Sequence, residues 1–158
     1  MNYEFINPFI ETTVNVIQTM AQTVATPGQP VVKTDRMARG EVSGIIGMAG
    51  EQAKGSMSIT FSEPAILDIA SKMLGENVEV LDETAADAVG EITNIITGGT
   101  KKLLIEKGYK FELASPSVII GKNHMIMHQT KAPVVLLPFS TSAGDFFVEI
   151  CFNNLSFD

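Results

Sequence analysis

An aspartate, a glutamate and an asparagine stand among the apolar residues of the stretch "DAVGEITNIITGG", which runs from Asp87 to Gly99. At about 100° per residue in a helix, Glu91, Asn94, Gly98 and Lys101 all fall within about 40° of Asp87. Ala88, Val89, Ile92, Ile96 and Leu103 fall between about 100° and 200°, so the polar set points away from the core stripe. Any surface helix has a solvated face, but lysine, glutamate or glutamine would serve one better than asparagine. Gly98 and Gly99 each cost about 1 kcal/mol of helix propensity relative to alanine. A carboxylate, an amide and a stretch of bare backbone on one edge suit docking. The carboxylate can pair with a cation, the amide offers a donor and an acceptor, and the missing side chain lets another backbone approach. For Gly99 the expectation is tight helix–sheet packing.

Other residues with chemical potential carry less. His124 and His128 in "HMIMHQ" would suit a metal on a helix, at i and i+4. The run reads as a strand, which puts both histidines and Ile126 on one face and Met125 and Met127 on the other. Without a third ligand, they read as structural or surface residues. Cys151 in "FFVEICFNN" has no adjacent base and reads as a small buried hydrophobe. "GEVSGIIG" lacks the P-loop lysine and the GxGxxG spacing, and turns and strand contacts account for it. No Ser-His-Asp arrangement stands out.

The elements that must hold the polar stripe follow from periodicity. Phe5, Phe9, Ile10, Ile17, Met20 and Val24 recur at helical spacing. They predict an amphipathic helix with Pro8 near its first turn or at a kink, stopped by "TPGQP". The Val-, Ile- and Gly-rich run from Val31 to Phe61 predicts three strands joined by tight turns at "ARGE" and "GEQAKG". A second helix over "SEPAILDIASKMLGE" has Ser62 as N-cap, Pro64 early and Gly75 at its end. The long helix carrying the stripe opens on acids, finishes with Lys101, Lys102 and Lys107, and stops at Gly108, in keeping with its dipole. "FELASPSVIIG", "HMIMHQT", "PVVLLPFST" and "DFFVEICFN" read as strands, the last two forming a hairpin through "TSAGD". Strands grouped between helices predict an α+β fold, an antiparallel or mixed sheet with long helices packed on one face, as one domain over residues 1–158.

Composition narrows the partners. The net charge of −7 and the absence of tryptophan argue against nucleic acid, which needs clustered Lys and Arg or aromatic platforms. No apolar run approaches the ~20 residues of a membrane span. "MNYEFINPFIETTVNV" has no basic n-region and carries acids, so no signal peptide is expected. A single cysteine excludes an intrachain disulfide and suits a reducing compartment, so a cytoplasmic protein is expected.

Asp87-x3-Glu91-x2-Asn94 resembles the signature of the CheC/CheX/FliY family of chemotaxis phosphatases, and the single-site CheX branch most closely. The similarity extends over nearly the whole order of elements, and Pro116 in "ELASPSVI" falls about where the family pattern has a proline. The resemblance implies a phosphatase in two-component signalling that accelerates hydrolysis of the aspartyl phosphate on a receiver domain such as CheY. Glu91 and Asn94 would be the catalytic residues: Glu91 pairing with the receiver's lysine, Asn94 orienting the attacking water. Asp87, Gly98 and Lys101 would shape the partner interface. The receiver would bring Mg²⁺, and the protein would need no cofactor or metal of its own. Such chemistry suits these groups, because phosphoryl transfer rewards positioning and charge neutralisation above acid–base strength.

The resemblance also implies a homodimer through sheet strands, for which "PVVLLPF" and "DFFVEICF" could supply an edge. Some family members carry two motifs. Laying Glu11 over Glu91 puts Asn7 on Asp87 but Val14 on Asn94, so one working site is expected. Two alternatives stay open: a non-catalytic receiver-binding or scaffolding module using the same helix, and a metal-dependent hydrolase using Asp87 and Glu91 or the histidines.

Overall fold

A computed structural model describes residues 1–155. Among these residues three helices, α1 (Tyr3–Ala21), α2 (Glu63–Leu74) and α3 (Glu83–Ile105), accompany eight strands. The strands are β1 (Thr26–Pro27), β2 (Val31–Lys33), β3 (Val42–Ala49), β4 (Lys54–Phe61), β5 (Glu112–Leu113), β6 (Ser117–Ile120), β7 (Val134–Ser140) and β8 (Asp145–Phe152). They form one antiparallel sheet in the order β1-β7-β8-β4-β3-β5, with β2 also pairing β7 and β6 also pairing β3. This is the expected α+β class.

The alternation of side chains along the strands decides where the helices go. Gly44, Ile59, Val148 and Leu137 lie opposite one another across β3, β4, β8 and β7, and so do Ile46, Met57, Ile150 and Val135. These rows join Phe5, Phe9 and Ile17 of α1 and Val89, Ile92 and Ile96 of α3 in one buried cluster. Phe5 anchors it, packing edge-on against Phe152 with ring centres 5.0 Å apart. Gly44 sets the height of α3 above the sheet, because a β-carbon there would strike Thr93 and Val89.

The caps match the sequence signals. Ser62 caps α2 and accepts from the Ala65 N–H, and Gly75 closes that helix in the left-handed region at φ 66°. Asp82 caps α3, accepting from the Thr84 and Ala85 N–H groups. Helix α3 ends at Ile105, so Lys107 lies beyond it, in the turn closed by Gly108.

Several expectations need correction. Helix α1 stops at Ala21, where Gln22 turns left-handed at φ 45° and returns its N–H to Gln18, so Val24 lies outside it. "TPGQP" instead supplies β1, an edge strand where the missing N–H of Pro27 is harmless. "GEQAKG" does turn β3 into β4, but "ARGE" joins no hairpin. Strand β2 crosses to the far edge and pairs with β7, carrying Lys33 to Glu149.

"HMIMHQT" keeps the alternation, with Ile126 buried and Met125 and Met127 exposed, yet forms no strand. Only Met125 bridges, to Met37, because this segment lies across the sheet's second face instead of within the sheet. Finally, β8 is paired on both sides and β7 meets β8 on one side and β1 and β2 on the other. Neither closing strand offers a free edge.

Candidate functional site

Helix α3 presents the predicted stripe intact. Asp87, Glu91 and Asn94 are exposed, while Ile92, Thr93, Ile96 and Thr97 on the helix's other side are buried. The exposed turn is regular helix. The Thr93 hydroxyl donates to the Val89 carbonyl at 2.7 Å, and Thr97 donates to the Thr93 and Asn94 carbonyls at 2.8 and 3.1 Å. Buried threonines that fold their hydroxyls back onto the helix avoid orphaned polar groups, so the rod under Glu91 and Asn94 is packed and satisfied.

Its two glycines separate in role. A β-carbon on Gly99 would stand 2.7 Å from the Thr12 methyl of α1, so Gly99 serves helix–helix contact, not the helix–sheet packing expected. A β-carbon added at Gly98 would meet nothing within 4 Å beyond its own helix backbone among the described residues. Its lost helix propensity therefore has no counterpart inside the chain. Lys101 is half-buried at the far end of the stripe and forms no ion pair among the described residues. Strand β6 borders the stripe on one side, where Val118 sits 3.5 Å from the place a Gly90 β-carbon would take, and Pro116 leads into that strand. On α1, Asn7 and Glu11 are exposed and Val14 is half-buried.

The histidines belong elsewhere. His124 Nδ1 lies 2.6 Å from the Gly121 carbonyl, which can only accept, so Nε2 is left to accept from Ser43, 2.7 Å away. His128 meets Ser56 through Nδ1 and the Glu149 carboxylate through Nε2 at 3.2 Å, and Glu149 pairs with Lys33 at 2.7 Å. Ser56, His128 and Glu149 stand in the order of a hydrolase triad, an arrangement the sequence did not suggest. Three features make it a structural network. Ser56 sits inside a regular strand, Lys33 engages the carboxylate, and the side chains of His128 and Glu149 are only 3% and 2% exposed.

Every ring nitrogen is thus engaged within the chain, leaving neither histidine a lone pair for a metal. Among the described residues no three His, Cys, Asp or Glu side chains converge. Cys151 is buried, with its sulfur against the Thr130 and Ala132 carbonyls at 3.2 and 3.4 Å. Burial pushes its thiol pKa up, which suppresses the thiolate a nucleophile needs. The reading of Cys151 as a buried hydrophobe stands. No helix among the described residues is long and apolar enough to cross a membrane.

A cavity of about 1060 Å³ opens on the second face of the sheet beside Met125, Met127 and Ile119, away from α3. The polar stripe therefore lies on an exposed helix edge, apart from that cavity.

The family model for the chemotaxis phosphatase CheX matches residues 42–140. The chain belongs to the chemotaxis phosphatase CheX family. A CheC-like superfamily protein from Shewanella sp. PV-4 is 51% identical, over 98% of this chain and 100% of that one, with a TM-score of 0.91. The CheY-P phosphatase CheX of Thermotoga maritima is 29% identical over 104 residues. That alignment takes in 65% of this chain and 65% of the length of the curated relative. A chain of the CheX–CheY–BeF3–Mg²⁺ complex from Borrelia burgdorferi is 28% identical, over 94% of this chain and 97% of that one, with a TM-score of 0.79.

Proposed function

We propose that this chain is a phosphatase of a phosphorylated response regulator, working by laying α3 across the receiver's phosphoaspartyl site. The observation that carries the reading is the pairing of an exposed Glu91 and an exposed Asn94, one turn apart on an unbroken, well-buried helix. Family membership, a relative named a CheY-P phosphatase and a similar chain bound to CheY support the partner class.

In this reading the Glu91 carboxylate pairs with the receiver's lysine and fixes the helix. The Asn94 amide reaches the phosphoryl group and holds a water in line with it, accepting from the water through its oxygen without adding charge near the phosphoryl oxygens. The acyl phosphate already carries a good leaving group, so holding the water in place is enough to speed its attack. Asp87 and Lys101 bracket the contact, and Mg²⁺ belongs to the receiver. The test is a panel of phosphorylated receivers from the same organism, assayed for phosphate loss with and without the protein. Binding without acceleration would leave only a receiver-binding module.

Gly98 gives a prediction in which stability and activity move in opposite directions. Gly98→Ala should stabilise the protein by up to about 1 kcal/mol, raising its melting temperature by a few degrees. The added methyl should at the same time lower stimulated dephosphorylation, because it stands where the receiver's backbone comes closest. A variant that is both more stable and fully active would remove Gly98 from the interface.

A homodimer forms part of the same proposal, with its site moved. Open edges beside the two-residue strands β1 and β5 are β2, with Val31 and Val32 exposed, and β6, with Ile119 and Ile120 exposed. Ile119, Met125 and Met127 also border the cavity on the second face. Light scattering should give twice the mass of the chain, and Met125→Lys with Met127→Lys should shift it to monomer. A wild-type monomer at working concentration would refute the dimer. Partner and protein would meet in the cytoplasm.

A further inference from the structure

Building on that reading, we infer that Ile95 is a contact residue for the receiver, setting how tightly the receiver is held without taking part in the chemistry. Helix α3 has four isoleucines. Ile92 and Ile96 are fully buried in the core, and Ile105 is the helix's last residue. Ile95 stands in mid-helix with 39% of its surface exposed. A β-branched residue loses side-chain freedom in a helix, so a position serving only solvent would favour an unbranched polar residue.

A lone exposed isoleucine is ordinary in itself. Its surroundings make this one informative. Ile95 follows Asn94 directly, lies one turn beyond Glu91 and one turn before Gly98, and residues three or four apart are surface neighbours about 5–6 Å apart. It falls about 80° from Asp87 around the helix, between the polar stripe and Gly99, the residue that abuts Thr12 of α1. On the opposite flank of the stripe stands β6, facing Gly90. The site therefore has a polar centre and an apolar shoulder on the α1 side.

A partner whose backbone comes down over bare Gly98, while its pocket receives Asn94, must also cover Ile95. The interface is continuous from Glu91 to Gly98, and Ile95 lies inside that span. The receiver must then present an apolar side chain at the rim of its phosphoaspartyl pocket, on the side that faces α1. Burying the exposed part of one isoleucine corresponds to about a fivefold change in affinity.

The experiment uses steady-state kinetics with a phosphorylated receiver on which the wild-type protein is active. Ile95→Gln should raise KM about fivefold with kcat within about twofold, and Ile95→Leu should restore the wild-type KM. Melting temperatures check the fold, and Ile95→Ala replaces the glutamine variant should that one be unstable. Unchanged KM in a folded variant, or a fall in kcat at constant KM, would overturn the inference. Should the wild type accelerate phosphate loss from no receiver, the phosphatase reading fails instead. The same variants titrated against a beryllofluoride-loaded receiver then still decide Ile95, by a fivefold weaker Kd or an unchanged one.

Discussion

Asn94→Ala should leave the melting curve and receiver binding close to wild type while phosphate release falls to the rate of the receiver alone. The side chain is exposed and makes no hydrogen bond within the chain among the described residues, so its removal costs the fold nothing. Beyond the helix's own backbone bonds, its carbonyl accepts from the Thr97 hydroxyl, and that bond survives the substitution. The full loss falls on the reaction, because a single well-placed polar group aimed at a reacting centre carries about two to three orders of magnitude in rate. Asn94→Asp is the sharper variant. It keeps the shape but brings a negative charge toward the phosphoryl oxygens and removes the amide donor, so it should be no better than alanine. Glu91→Ala should differ in kind: it removes the docking charge, and its loss should appear first as weaker receiver binding. Retained stimulation in Asn94→Ala would discard the water-positioning mechanism.

The second large effect is on stability and lies on the other face of the sheet. Lys33→Met should destabilise the protein by about 3–5 kcal/mol, a large share of the roughly 5–15 kcal/mol that holds a domain together. The Lys33 and Glu149 side chains are 1% and 2% exposed, so the substitution strands a carboxylate that water cannot reach. Adding Glu149→Leu to Lys33→Met should recover part of the loss. Full recovery is not expected, because the His128 ring N–H then has no acceptor, at about 1–3 kcal/mol. Urea midpoints of the two single variants and the double variant measure this. Single-variant costs below about 1 kcal/mol would mean that the pair is wet in solution, behaving as a surface ion pair. The folded fraction of each variant should keep its activity, since α3 lies on the opposite face.

How much of this was legible beforehand follows the reach of the forces involved. The second and third helices were readable to within a residue or two because caps, dipole-matched charges and 3.6-residue periodicity are local. Ser62, Gly75 and Asp82 do what their types require of them. The stripe from Asp87 to Lys101 was readable for the same reason: a helix converts sequence spacing directly into direction. The strand order was less legible. "ARGE" carries the composition of a turn, yet β2 pairs with β7 more than a hundred residues away and brings Lys33 to Glu149, a long-range pairing that local propensity does not encode.

The sequence alone determined which residues would face outward on the long helix, because that depends only on a regular twist and on where the apolar side chains fall. It also carried the likeness to a phosphatase family through three polar residues and their spacing. The tertiary structure decided what those spacings could not encode. It showed that Gly99 serves α1 while Gly98 serves nothing inside the chain, and that two histidines with the spacing of metal ligands are spent on serines and a buried carboxylate. It showed as well that the apolar closing strands lie in the middle of the sheet and not at its edge. Each of these turns on contacts between residues far apart in the chain, and such contacts exist only once the sheet has assembled.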